Sequence, residues 1–95
     1  SAVNRIYYGM YYALTALALK YKFETSKHAQ LIGWFNKNFV ADGQINPYYG
    51  EILRNAFQNR RKGDYDAFVN FEKEEVTFMH KEMHDFIEAI EELIK

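Results

Sequence analysis

The chain has 95 residues and a formal net charge of −1, and 48% of its residues are hydrophobic. A chain of this size forms one domain with a marginal core, so association with a second copy would help it. It contains no cysteine, which excludes disulfides and thiolate metal sites. No apolar run approaches the roughly 20 residues that span a bilayer, and signal-peptide features are missing. We therefore expect a single cytoplasmic domain over residues 1–95 that does not associate with a membrane. Because Ser1 already lies inside a helical pattern, we also expect the domain to be truncated at its N-terminus.

Charge is unevenly distributed along the chain. Residues 1–62 carry nine Lys or Arg and three acidic residues, whereas the remainder carries three and ten. One interpretation is that an acidic last helix lies beside basic ones and offsets them. The other is a local basic face that binds an anionic ligand.

The first predicted element is an amphipathic helix that extends through about residue 22. Its apolar positions recur at intervals of three and four residues, at Val3, Ile6, Tyr7, Met10, Leu14, Leu17 and Tyr21. A second aromatic line of Tyr8, Tyr11 and Tyr12 lies beside this stripe. The helix is thus apolar or aromatic nearly all round, which fits burial in its own core and against a partner. We expect a homodimer.

The middle of the chain predicts two more helices. Ser26 resembles an N-cap for the second helix, which ends before the Asp-Gly pair at 42–43. The stripe of this helix comprises His28, Leu31, Ile32, Phe35 and Phe39. Asn46 followed by Pro47 is typical of the start of a helix, and Gly63 is well placed to end the third one.

A final helix follows a short segment over residues 64–69. Asn70 is a candidate N-cap, and three glutamates at positions 72, 74 and 75 lie in the first turns, where the helix dipole favours acidic groups. No β-type alternation of useful length occurs. Four helices with short connections predict an all-α, antiparallel up-and-down four-helix bundle.

The segment over residues 59–66 carries the strongest functional signal. Arg60 occupies the next core-facing position of the third helix, where a leucine would be expected. A half-buried guanidinium needs a carboxylate, a phosphate or several carbonyls as its partner. Asp64 is one candidate, and the phosphate of a nucleotide or RNA is the other. Arg61 and Tyr65 are further candidate phosphate-binding residues beside them.

Three more candidate residues lie outside this segment. His28 is either a core-edge histidine with satisfied hydrogen bonds or, if it faces Arg60, an acid-base group or a phosphate donor. Arg5 and Tyr8 share one side of the first helix. They either have a structural role, with Arg5 paired to a carboxylate and the tyrosine at a dimer interface, or they line a groove where rings stack on bases.

The two histidines of the last helix do not predict a metal site. His80 and His84 are four residues apart, close enough to bind one ion together. The sequence resembles the H-E-x-x-H pattern of zinc proteases but has Lys81 in place of the catalytic glutamate. With no third ligand evident, we expect neither a metal nor another cofactor.

As a set, these residues resemble the HEPN domains, the higher eukaryote and prokaryote nucleotide-binding family, and specifically its small prokaryotic members. The similarity extends over nearly the whole chain and is carried by the opening residues 1–8, by Lys27-His28, by Phe39-Val40 with Gly43, and by Arg60 with Asp64-Tyr65. It implies an antiparallel helical bundle that usually dimerises. It also implies a gene often encoded beside a minimal nucleotidyltransferase in a toxin–antitoxin pair.

The resemblance implies a role for Arg60 as well. Many members of the family are metal-independent ribonucleases in which an arginine holds the scissile phosphate and a histidine, separated from it by four to six residues, acts as acid or base. Arg60 matches the arginine, but the corresponding histidine positions hold Tyr65, Asp66 and Ala67. Tyrosine titrates near 10 and aspartate near 4, so neither is poised to move a proton at neutral pH. Phosphate binding survives this substitution.

Three functions therefore compete. The first is a dimeric module that binds a nucleotide or RNA phosphate around Arg60 and works with a nucleotidyltransferase. The second is a metal-independent ribonuclease that recruits His28 in place of the missing histidine. The third is a non-catalytic dimerisation or adaptor domain in which Arg60 and Asp64 staple the turn. An open pocket containing Arg60, His28 and Tyr65 favours the first two, and a closed pair of Arg60 and Asp64 favours the third.

Overall fold

The computed structural model describes residues 1–65 and 70–95, with the side chains of residues 63–65 outside the described part. Within these ranges the chain is all-helical and has no strand, as the sequence predicts. Its elements are α1 (Ala2–Lys20), α2 (His28–Phe35), a short π-helix (Asn36–Val40), α3 (Pro47–Tyr65) and α4 (Lys73–Ile94).

The helix starts follow from local hydrogen bonds. The Ser1 side chain accepts a hydrogen bond from the backbone N–H of Asn4 at 3.2 Å and caps α1. Asn46 caps α3 as predicted, because its Oδ1 accepts from the backbone N–H of Tyr48 at 2.9 Å. The prediction that Ser26 caps the second helix is wrong. α2 begins at His28 without a side-chain cap, and just before it Thr25 Oγ1 accepts a hydrogen bond from the backbone N–H of Lys27.

Two predicted boundaries, at the end of the third helix and at the start of the last one, also differ. Gly63 does not end the third helix, because α3 continues to Tyr65. Asn70 does not cap the last helix, because α4 begins at Lys73 with Glu72 as its N-cap. Glu72 and Glu75 form a reciprocal capping box, in which the backbone N–H of Glu72 donates to Glu75 Oε1 at 3.0 Å. This arrangement satisfies two terminal N–H groups, and a single capping side chain satisfies one.

α1 forms the centre of the fold, because it packs against α2, α3 and α4. The largest fully buried side chains come from every helix, and they are Tyr7, Met10, Leu14, Leu17, Phe35, Phe39, Ile52, Leu53, Phe86 and Ile90. The first six lie on the apolar stripes predicted for the first two helices. Burial of each such side chain stabilises the fold by roughly 1.5 to 3 kcal/mol. None of the described helices is both long and apolar enough to cross a membrane.

α1 and α4 run side by side in the same direction. Gly9 approaches Met83 so closely that a Cβ on the glycine would lie 2.7 Å from the methionine sulfur. Further along both helices, Lys20 Nζ donates to the backbone oxygen of Ile94. These contacts do not support a simple up-and-down order, which would make α1 and α4 antiparallel.

The loop between α1 and α2 explains why the helices do not follow an up-and-down order. The His28 ring at the start of α2 stacks on Tyr11 with centroids 4.1 Å apart, and Phe39 beyond its end contacts Tyr21 with centroids 5.3 Å apart. α2 therefore runs in the same direction as α1. Seven extended residues over 21–27 can span about 23 Å, which exceeds the rise of about 14 Å from Tyr11 to the end of α1. The loop is thus long enough to return before α2 begins.

Substituting two helical glycines tests this packing. We expect Gly33→Ala to stabilise the protein by roughly 0.5 to 1 kcal/mol, because a Cβ there meets nothing within 4 Å and alanine favours a helix more than glycine does. Gly9→Ala gains the same propensity but forces the flexible Met83 side chain to shift, so we expect it to stabilise the protein less than Gly33→Ala does. Chemical denaturation of both variants measures the difference. A Gly9→Ala variant more stable than Gly33→Ala would contradict the close α1–α4 contact.

Candidate functional site

Five side chains from three helices meet where α2 begins and α3 approaches its end. They are Tyr7, Tyr8 and Tyr11 on α1, His28 on α2 and Arg60 on α3, and together they are called the Tyr7 cluster below. Adjacent and i+4 positions on α1 bring the three tyrosines onto neighbouring parts of one helix surface. Since His28 is the first residue of α2, the return of the loop places its ring directly on that surface.

His28 is held by two tyrosines. Its Nδ1 lies 2.7 Å from the hydroxyl of Tyr7, within hydrogen-bonding distance. Its ring stacks on Tyr11 with the planes 19° apart. The imidazole is therefore partly buried with a satisfied polar contact, which is the core-edge arrangement that the sequence allows. It also lies in the same cluster as Arg60, the condition for a chemical role.

Arg60 is partly buried, as its place on the stripe of α3 predicts. Its Cζ lies 5.6 Å from the ring centre of Tyr7 and 5.3 Å from that of Tyr8. Its Nη2 donates to the Tyr8 hydroxyl at 3.2 Å. A cation over an aromatic face gains roughly 0.5 to 2 kcal/mol, so these contacts restrict the direction of the guanidinium.

The surroundings of His28 and Tyr7 favour the neutral form of both side chains. Burial and, secondarily, the positive charge of Arg60 lower the pKa of His28 below its ordinary value of 6.5. Burial raises the pKa of Tyr7 well above its ordinary value of 10.0, although Arg60 opposes the rise. At neutral pH the guanidinium thus lies beside an uncharged imidazole and an uncharged phenol.

The remaining predicted site residues lie in different places. Arg61 is exposed, and its Cζ lies 5.8 Å from the ring centre of Phe57. Arg5 is not brought to Arg60, because it lines a shallow cavity of about 280 Å³ between α1 and α4 together with His80. The side chains of Asp64 and Tyr65 lie outside the described residues, so an ion pair between Arg60 and Asp64 stays a prediction.

The histidine pair of α4 stands apart from the cluster. The rings of His80 and His84 are 4.8 Å apart, and both residues are exposed. Among the described side chains, no group of three or more His, Cys, Asp or Glu is arranged to hold a metal ion.

Tyr7 and Tyr11 are the two members that sequence reasoning did not single out as functional. Tyr7 lies on the apolar stripe of the first helix and Tyr11 on the aromatic line beside it, and both patterns favour packing. A signal was present for Tyr7, because a phenol in the middle of a core stripe carries a hydroxyl that needs a partner when buried. The spacing within the first helix does not reveal that the partner is a histidine 21 residues away.

The fold and the site together define a class of protein. It is a small all-α domain in which an arginine, a histidine and three tyrosines lie together where three helices meet. The chain belongs to the HEPN domain family, whose family model matches residues 1–93. The resemblance stated from the sequence is therefore confirmed.

The chain is also similar in sequence to three proteins with curated descriptions. The chain is 40% identical to the UPF0332 protein of Thermotoga maritima over 95 residues, which are 100% of this chain and 72% of that protein. It is 33% identical over 86 residues to the protein named "Putative toxin MJ0142" of Methanocaldococcus jannaschii, covering 90% of this chain and 58% of that protein. A second protein of that organism, named "Putative toxin MJ0605", is 32% identical over 94 residues, or 99% of this chain and 69% of its own length. No solved structure is significantly similar to the chain.

The lowered pKa of His28 predicts how stability depends on pH. A histidine whose folded pKa lies below its unfolded value takes up its proton first in the unfolded state. Its contribution is therefore fully present above about pH 6.5 and is lost as the pH falls from there toward the folded pKa. We expect wild type to lose more stability than His28→Gln between neutral and mildly acidic pH. Denaturant titrations at several pH values measure this, and identical pH dependence in both proteins would contradict the environment described for His28.

Proposed function

We propose that this HEPN domain binds the phosphate group of a nucleotide or an RNA at the Tyr7 cluster. The observation that carries the proposal is the position of Arg60, whose guanidinium lies against the rings of Tyr7 and Tyr8 in the cluster that also contains His28. Guanidinium presents a planar fork of donors that matches two phosphate oxygens. Contacts that restrict this fork before binding lower the entropic cost of ordering it.

Neighbouring groups suit the rest of a nucleotide. Tyr8 is partly exposed, and its hydroxyl accepts a hydrogen bond from Arg60 Nη2 at 3.2 Å. Exposed aromatic rings beside a cation are a common platform on which bases of single-stranded nucleic acid stack. Arg61, which is exposed on the following position of α3, adds a second positive charge for neighbouring phosphates.

A metal-independent ribonuclease that uses Arg60 with His28 is the second candidate. Its support is that both residues belong to the same cluster. Two observations favour binding over cleavage. The positions where the family's motif has a histidine hold other residues here, and the pKa of His28 is lowered rather than raised by its surroundings. A lowered pKa leaves little imidazolium at neutral pH to act as an acid.

We further propose that the domain acts as a cytoplasmic homodimer and as the partner of a minimal nucleotidyltransferase in a toxin–antitoxin pair. The names of the two Methanocaldococcus jannaschii relatives support the toxin role. An exposed apolar face on α1 supports the dimer, since Tyr12 is 67% and Leu19 is 58% exposed. Burying such a face against a second copy would enlarge a small core.

Nucleotide binding is tested with a matched pair of arginine variants on α3. We expect wild type to bind AMP and a short single-stranded RNA weakly, with affinity that falls as salt rises. Arg60→Ala should weaken binding by roughly 10-fold or more, because it removes charge-assisted hydrogen bonds to phosphate. Arg54→Ala removes the same charge from an exposed position of the same helix and should have little effect. Equal losses in both variants would indicate nonspecific attraction.

Cleavage is tested separately on the same RNA. Wild type should cleave it slowly or not at all in the presence of a chelator. Robust metal-independent cleavage that is lost in both Arg60→Ala and His28→Ala would establish the ribonuclease instead.

The dimer has its own test. We expect Tyr12→Asp to shift the protein toward a monomer in light scattering at micromolar concentration, because a carboxylate would be buried against the partner copy. Phe78→Asp is the matched control, since Phe78 is 57% exposed on α4, away from this face. A wild-type protein that is monomeric in the same measurement would contradict the proposed dimer.

A further inference from the structure

The Tyr7 hydroxyl is the most deeply placed polar group of the cluster. Tyr7 has a relative exposure of 0%, and its hydroxyl lies 2.7 Å from His28 Nδ1. Burial disfavours the phenolate, so the oxygen keeps its proton at neutral pH. Among the described residues, Nδ1 is the hydrogen-bonding partner that this hydroxyl has.

The direction of this hydrogen bond follows from the number of protons. If Nδ1–H donated to the tyrosine oxygen, the buried hydroxyl proton would be left without an acceptor, which is costly. If the hydroxyl donates to Nδ1, both groups are satisfied. A neutral imidazole carries one proton, so that proton must then be on Nε2.

The charged form of His28 does not fit the same surroundings. An imidazolium has a donor on each ring nitrogen, so Tyr7 would have to give up its acceptor. The groups that face the ring from the neighbouring helices are Tyr7, Tyr8 and Tyr11 on α1 and the cation of Arg60 on α3. The guanidinium repels a second positive charge, so neutral His28 is the favoured form.

We propose that Tyr7 is a positioning residue that makes His28 a hydrogen-bond donor through Nε2–H and prevents it from acting as a general base. The inference rests on the proposed phosphate binding and defines how that site works. The Nδ1 lone pair accepts from Tyr7, and Nε2 carries a proton, so neither nitrogen can take the proton of a ribose 2′-hydroxyl. Nε2–H can donate to a phosphate oxygen, and Arg60 supplies the positive charge. The cluster is therefore built to hold a phosphate ester without attacking it.

The proton assignment is tested by long-range ¹H–¹⁵N NMR of the ring nitrogens, with His28→Gln used to assign the signals among the three histidines. In wild type we expect a protonated Nε2 and a lone pair on Nδ1. Tyr7→Phe should produce a mixture of both tautomers and raise the pKa of His28. It should also weaken AMP binding by roughly 2- to 10-fold, the range of one hydrogen bond. Tyr49→Phe likewise loses only a hydroxyl, from a partly buried tyrosine of α3 outside the cluster, so the tautomer and the affinity should be unchanged.

The outcomes separate this inference from the proposed function. The tautomer is measured without a ligand, so a protonated Nε2 supports the role of Tyr7 even if AMP does not bind. Failure of AMP to bind would contradict the proposed phosphate binding and leave the role of Tyr7 standing. A protonated Nδ1 in wild type, or an unchanged tautomer in Tyr7→Phe, would overturn the inference. The wild-type measurement needs no variant, so it can overturn the inference even if Tyr7→Phe folds poorly.

Discussion

The hydrogen bond between the Tyr7 hydroxyl and His28 Nδ1 is the contact on which the arrangement of the site depends. A phenol at the centre of the core needs an internal partner, because water does not reach it. The first residue of α2 supplies that partner, which ties the start of α2 to the first half of α1. The loop must therefore run back along α1, and α2 proceeds in the same direction as α1 instead of reversing.

The same contact determines what the site can offer a ligand. A neutral histidine can lie near the Arg60 guanidinium, whereas two positive charges in a partly buried cluster would repel each other. Arg60 can then lie over the rings of Tyr7 and Tyr8 as the charged member of the Tyr7 cluster. The result is a directional cation with uncharged donors around it, which suits an anion with several oxygens.

The sequence predicts the helices and their buried faces well, because amphipathic spacing directly reflects which side of a helix meets the core. The partly buried position of Arg60 follows from the same spacing.

Helix starts are less predictable, since neighbouring polar residues compete to cap one helix. The capping box at Glu72 prevails over Asn70 for that reason, and α2 begins after Lys27 without a side-chain cap. The directions of α1, α2 and α4 could not be predicted, because a seven-residue loop permits both a reversal and a return. The role proposed for Tyr7 could not be predicted, because its ring satisfies the apolar pattern while that role depends on its hydroxyl oxygen and on a residue of another helix.

An NMR titration of the protein with AMP shows whether the Tyr7 cluster holds a phosphate. The signals to follow are the Arg60 side-chain N–H and the His28 ring, with the indole N–H of Trp34 as an internal reference. Trp34 packs near the end of α1 against Tyr21 and Phe23 and lies outside the cluster. If the cluster binds AMP, we expect saturable shifts of the Arg60 and His28 signals and a stationary Trp34 signal. Shifts centred elsewhere, or none at AMP concentrations that saturate other signals, would contradict it.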